Sequence, residues 1–529
     1  MTKKFRFLTL VTFILTLTLL FSCGENKSNS SDTDNDLTTT EIADTTIPEE
    51  TQKPAEVLKE NKITDALPTY DGGKAARSLY NCGTGIGGDA SKSDMRIISK
   101  TTAEQFSAYL GKLEDAGFAE ISRNEEFDNI YVQYFSEASG KLVYAYYIGS
   151  LGEARIIEDN ASVPETEFEY TCDSGDVTVY QYAFMQCSDF STNEYEINGM
   201  FFIIRLADNR LVCIDGANAH KQATVTATEA LWNFMKEVTK SDEINIACWF
   251  ISHPHTDHYG FLQQLLWNID TYPVNIERVM FNIPESSVAG SISNVINAVN
   301  NAFPDVSYIK PHTGQIITLG NMDIEVMYTH EDYVNEAGAT QIVAENNSST
   351  VLKLHFNGRT MMLSGDWGGS PDISEDYPIG IESMKAMHIS ADGENSLKCD
   401  ILQLSHHALN DYMSEFNLAV DPDYIFVPAP DDNLDTRIHP VVGQSVRPIL
   451  EAGCDPEHVY FTNRYTYALN IATDSTITVA AEVIRGTDTG DDPKTRWIEE
   501  DYLGFTLNRF EAYRVPTDEE FDNWSKIHK

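Results

Sequence analysis

The stretch from Cys248 to Phe261 reads CWFISHPHTDHYGF. An apolar run leads into His253, His255, Asp257 and His258, after which a helix is expected to start near Tyr259. With 13 histidines in 529 residues, an H-x-H-x-D-H pattern arises by chance with odds of about one in two thousand. In an extended segment alternate residues point the same way. His253 and His255 can therefore grip one metal while Asp257 and His258 turn toward a second. Imidazole and carboxylate donors of this kind suit zinc, with manganese or iron as alternatives.

Around this loop the chain alternates strands and helices. DVTVYQYAFM from Asp176 and GMFFIIRLADNRLVCIDGA from Gly199, with a turn at Asp208-Asn209, read as consecutive strands. A helix over about 225–238 and the buried strand INIACWFIS follow. Further strands are expected in RVMFNI, DIEVMYTH, STVLKLHFNGRTMMLSGD, CDILQLSH, YIFVPAP and HVYFTN, with helices near 259–268, 288–302 and 441–452. Polar clusters at strand ends mark a layered α/β fold that carries its site on loops.

These motifs together resemble the metallo-β-lactamase superfamily of hydrolases, over residues 165–485. The resemblance implies a four-layer αβ/βα sandwich with a two-metal site at one edge of two facing sheets. LVCIDGA looks like the early strand ending in an aspartate, so Asp215 would brace the site from behind the ligands. MMLSGD looks like the strand whose Asp366 bridges both metals. LQLSHHA looks like the late strand delivering the last histidine, with His406 as the ligand and His407 as a neighbour facing substrate. NNSSTVLKL (from Asn346), SHHAL (from Ser405) and IHP (from Ile438) are similar to the motifs of ComEC-like hydrolase domains. Ala408 and Leu409 depart from the Gly and Ser of that group. His330 in MYTHED is the candidate third ligand of the first metal, with Asn347 or a water as competitors and His312 as a weaker choice.

The resemblance implies hydrolysis, with phosphodiester cleavage foremost, by a water bridging two divalent metals. Asp257 would assist proton transfer, and His407 and His439 would contact the leaving group. Hydrolysis of another ester or amide, as by a lactonase or lactamase, is one alternative. A non-catalytic metal-binding lipoprotein is another.

The remaining sequence frames this domain. Residues 1–23 begin with Lys3, Lys4 and Arg6, continue with an apolar run from Phe7 to Phe21 and end in Leu20-Phe21-Ser22-Cys23. This reads as a lipoprotein signal peptide, with a lipid on Cys23 anchoring the chain to the outer face of a bacterial cell membrane. Residues 24–65 are polar and acidic and read as a disordered tether. Residues 66–164 read as a small α+β domain, with a helix over 102–116 capped by Thr101 and Glu104 and three strands after it. Residues 486–529 form a C-terminal extension. GTGIGG at Gly83–Gly88 matches a dinucleotide-binding pattern in form only, because a poor strand precedes it and a poor helix start follows.

Asp and Glu outnumber Lys and Arg by 81 to 37, for a net charge of −44. Such a surface repels polyanions, which disfavours extended nucleic acid and favours a small-molecule or envelope-derived substrate. The eight cysteines show no paired framework. Oligomeric state is left open by the sequence.

Overall fold

In the computed structural model, residues 67–77, 94–159, 162–182, 199–218, 225–284, 291–333, 345–368, 376–408, 414–428, 448–449, 452–461 and 466–482 are described. His439, Cys23, the tether and the C-terminal extension lie outside them. The chain is a mixed α/β protein, as the alternation of strands and helices implies.

Two large sheets face each other. The nine-stranded sheet contains Val177–Gln181, Phe201–Arg205, Leu211–Asp215, Asn245–Phe250 and Arg278–Met280. The eight-stranded sheet contains Met322–Tyr328, Val351–Phe356, Arg359–Leu363, Ile401–Gln403 and Tyr424–Val427. One core holds Val179, Ile204, Val212 and Phe250 from the first against Ile324, Leu352, Met361 and Phe426 from the second. Alternate residues of the first sheet, such as Ile203, Cys213 and Trp249, pack instead on Leu231, Phe261 and Ile296 of the helices. Strands buried on both faces need apolar residues at nearly every position, which is why VCI and ACWFI show no alternation. Cys213 and Cys248 are buried free thiols, as their place in these runs implies.

Leu211–Asp215, Asn245–Phe250 and Arg278–Met280 run parallel, joined through helices Val225–Thr239 and Gly260–Trp267. Arg359–Leu363, Ile401–Gln403 and Tyr424–Val427 likewise run parallel. Their carboxyl ends converge on one edge, where Thr350 N donates to Ser252 O at 3.1 Å and ties the sheets together. Loops at such carboxyl ends are the usual ligand sites of α/β sheets.

The N-terminal unit is a six-stranded antiparallel sheet, with Lys74–Arg77, Asp94–Ser99 and Ala119–Glu126 added to the three expected strands. Its helix spans Ala103–Asp115 and is capped by Thr102, one residue later than expected, whose hydroxyl accepts from Gln105 N at 3.3 Å. One face packs on that helix through Phe106, Tyr109 and Leu113. The other face, with Tyr131, Tyr144, Tyr146 and Ile157, joins Tyr328, Met362, Met387 and Leu402 in a single core. The expected boundary at 164 therefore crosses a shared core. A Cβ on Gly314 would sit 1.9 Å from the Tyr131 ring, so only glycine fits at this seam. Polar contacts reinforce the seam: Tyr146 Oη donates to Asp332 Oδ1 at 2.7 Å, and His388 Nδ1 meets Glu126 Oε2 at 2.9 Å.

Candidate metal centre

Leu211–Asp215, Asn245–Phe250, Arg359–Leu363 and Ile401–Gln403 each lead into a residue of the site. Asp215, fully buried, closes Leu211–Asp215 with a left-handed φ of 61°. Its carboxylate accepts from Ser252 N at 2.7 Å, Ser252 Oγ at 2.8 Å and His258 Nδ1 at 2.6 Å. It thus stands behind His258. Ser252 Oγ, having spent its proton on Asp215, is left to accept from His253 Nδ1 at 3.0 Å. His407 Nδ1 donates to the Pro428 carbonyl at 3.0 Å. In all three histidines Nδ1 is held as the donor, which leaves the lone pair on Nε2.

Those three Nε2 atoms converge on Asp366. His253, His258 and His407 present Nε2 at 3.6, 3.2 and 3.4 Å from Asp366 Oδ2, and His407 Nε2 lies 3.4 Å from Asp257 Oδ2. Two groups of potential ligand atoms result, each within 4.8 Å: Asp257, His258, Asp366 and His407, and His253, His255 and Asp366. Asp366 belongs to both. Among the described residues, His253 Nε2, His258 Nε2, His407 Nε2 and Asp366 Oδ1 are buried without a hydrogen-bond partner. Such atoms are costly unless something satisfies them. Ligands held about 2.1 Å from one ion stand about 3.0–3.4 Å apart. The observed separations come close to that spacing, so the residues present fit a metal.

The electrostatics agree. Burial raises the cost of every charge here, yet the neighbouring histidines hold Asp366 well below the usual carboxylate range. Burial likewise opposes charge on His407, but Asp366 and Asp257 outweigh it and push its pKa up to about 10. His258 moves up for the same reason, while burial and the charge on His258 drive His253 well down. A cluster whose carboxylates demand a cation takes a proton or a metal ion.

The two adjacent histidines stand differently from the expected arrangement, in which His406 is the ligand and His407 its neighbour. His407 enters the ligand group, whereas His406 Nε2 sits 3.9 Å from Asp366 Oδ2, pairs with Asn346 Nδ2 at 3.2 Å and is 20% accessible. The strand ends at Gln403, and His406, His407 and Ala408 are all left-handed, with φ of 46°, 55° and 57°, so the chain turns between the strand and the two rings. Ala408, the departure from glycine, is buried in this strained turn.

His330 belongs to neither ligand group. Its Nε2 donates to Asn282 Oδ1 at 2.7 Å, and burial, opposed in part by Glu331, holds its pKa down to about 3. His312 is also committed, with Nδ1 2.8 Å from Glu331 Oε2 and Nε2 3.1 Å from Asp159 Oδ2, locking the N-terminal sheet to the sandwich.

Sequence reading passed over several supporting residues. Gln403 Oε1 accepts from Ser364 N at 2.7 Å and Gly365 N at 3.0 Å, and its Nε2 donates to Gly365 O at 3.1 Å, clamping the Asp366 loop to the His407 strand. A glutamine inside the apolar run ILQL was its signal. Ser349 Oγ accepts from Asp366 N at 3.1 Å, and Asn347 Oδ1 from Gly368 N at 3.1 Å. Gly365 has φ +56°, and a Cβ there would lie 2.8 Å from Ser252 Cβ. The glycine of LSGD thus lets the two sheet ends close on each other.

No protein-family model matches the chain, and no curated protein sequence matches it.

Proposed function

We propose that the chain is a metal-dependent hydrolase of the metallo-β-lactamase type, similar in motif order to ComEC-like hydrolase domains. On this reading it is lipid-anchored through Cys23 at the outer face of a bacterial membrane and cleaves phosphodiesters. The observation that carries the reading is Asp366, shared by two groups of ligand atoms in which, among the described residues, the buried Nε2 atoms of His253, His258 and His407 have no hydrogen-bond partner. Bound divalent ions, zinc first and manganese or iron as alternatives, would supply Lewis acidity and a water acidified toward neutrality.

The chain's own residues do the rest. Asp215 and the Pro428 carbonyl keep His258 and His407 in the tautomer that directs Nε2 inward. Asp257, whose Oδ2 lies 3.4 Å from His407 Nε2, belongs to the same ligand group and would assist proton transfer. His406, outside both ligand groups and part-exposed, would hand a proton to a leaving oxygen. His439 remains the second candidate for that contact. The net charge of −44 favours a small or zwitterionic phosphodiester, such as an envelope component, over a long polyanion.

Metal analysis of the purified protein, coupled to phosphodiester, phosphomonoester, lactam, lactone and thioester substrates, tests this. Two divalent ions per chain, phosphodiester turnover and its loss in Asp366→Asn are expected. Metal-free protein, or turnover untouched by Asp366→Asn, refutes the assignment.

A further inference from the structure

His258 is oriented by a carboxylate from inside the protein, and the same segment meets a second carboxylate on its outer side. His255 is the part-exposed histidine of the motif, with a side-chain accessibility of 36%, and Glu345 Oε2 lies 3.1 Å from its Nε2. Glu345 is itself 47% accessible. An exposed pair of this kind contributes little to stability. Its position is more informative, because His255 shares a ligand group with His253 and Asp366.

An imidazole that binds a metal through one nitrogen presents an N–H at the other, and the partner of that N–H sets tautomer and ring orientation. His255 Nε2 and Glu345 Oε2 stand at ion-pair distance, and a carboxylate that takes the Nε2 proton leaves Nδ1 as the nitrogen for an ion. That is the reverse of His253, His258 and His407, whose Nδ1 atoms are the committed ones.

Glu345 is also tied to the rest of the site. It opens the turn Glu345–Ser348, where Ser348 Oγ donates to Glu345 O at 2.6 Å and Ser349 N to Asn346 O at 3.0 Å. Ser349 Oγ in turn holds Asp366 N. One short segment therefore carries both the group facing His255 and the group that seats Asp366.

We propose that Glu345 is a positioning residue for His255: its carboxylate accepts the Nε2 proton and so fixes the tautomer that directs Nδ1 to a metal ion, as Asp215 fixes His258. The inference rests on the metal-centre reading above.

The test is a competitive titration of zinc and of cobalt(II) into the wild-type protein, Glu345→Gln and Glu345→Ala, with the unfolding midpoint of each metal-free protein as control. Loss of an orienting partner of this kind typically weakens metal affinity about 10–100-fold. Glu345→Ala is expected to weaken one of the two ions by that factor with no change in the metal-free midpoint. Glu345→Gln should keep most of the affinity, because an amide oxygen still accepts the imidazole N–H.

In the cobalt-loaded protein a paramagnetically shifted, exchangeable N–H resonance from His255 should survive in wild type and Glu345→Gln and vanish by solvent exchange in Glu345→Ala. Wild-type affinity and spectrum in Glu345→Ala overturn the proposal. So does a Glu345→Gln protein as weak as Glu345→Ala, which would make Glu345 a ligand in its own right. Wild-type protein that takes up neither metal overturns the metal centre itself, whereas normal uptake with unaffected variants removes only the role of Glu345.

Discussion

Asp215→Asn is nearly isosteric and isolates the hydrogen-bond logic of the centre. The carboxylate accepts three donors, Ser252 N, Ser252 Oγ and His258 Nδ1, in a fully buried place. Asparagine has one acceptor oxygen and an NH2 group. If its oxygen stays on Ser252 N, the NH2 faces His258 Nδ1, and the imidazole must carry its proton on Nε2, aimed at the position of the ion. If the amide flips, its NH2 meets the backbone N–H of Ser252, and a buried donor loses its acceptor at a cost of about 1–3 kcal/mol. Either route penalises the ligand form of His258. The expected loss of metal affinity is about 10–100-fold, or about 1.4–2.7 kcal/mol. Chelator competition with zinc on wild type and variant measures it, with circular dichroism as the check on folding. An affinity within about twofold of wild type, about 0.4 kcal/mol, in a folded variant would refute the role given to Asp215.

Other outcomes follow from the same geometry. Gly365→Ala adds a Cβ 2.8 Å from Ser252 Cβ at a φ of +56°; left-handed strain and overpacking together should cost about 2–5 kcal/mol in urea unfolding, and a loss below about 1 kcal/mol would contradict the close approach. His407→Asn should abolish binding of one metal ion, while His406→Asn keeps the metal and lowers turnover; metal content that follows His406 instead would reverse their roles. In metal-free protein the pKa of His407 rises to about 10 in the folded state, above its unfolded value of about 6.5. Its contribution to stability is therefore complete below about pH 6.5 and lost as pH rises through about 10. The thermal midpoint of chelator-treated protein should fall across that window, and His407→Asn should flatten the fall; equal slopes would argue against the charged form. Metal binding displaces that proton, so zinc affinity should rise with pH over the same window, as isothermal titration in buffers of different ionisation enthalpy would report.

Much of the centre was legible in the sequence because its information is local. The run CWFIS ends a buried strand, and HPHTDH places ligand-type side chains at its carboxyl end. LSGD and LSHHA repeat that arrangement on the other sheet, so the ligand types and the edge that carries them can be read without coordinates. Three of the six N-terminal strands were legible for the same reason, but not their destination. Tyr131, Tyr144 and Tyr146 pack into a core with Tyr328 and Leu402, and continuous apolar patterning does not say which distant face it will cover.

Direction was decided only by tertiary structure. His407 rather than His406 turns inward because consecutive left-handed residues rotate the chain after Gln403. That turn is held by partners far away in sequence: Gln403 clamps Gly365, 38 residues earlier, and His406 meets Asn346, 60 residues earlier. His330 looks like a ligand in MYTHED and is instead claimed by Asn282. Glu345, at 3.1 Å from His255, belongs to no local motif at all. Residue chemistry and strand periodicity are properties of a short segment, whereas the choice between two adjacent histidines depends on which long-range donors and acceptors the folded chain brings to each ring.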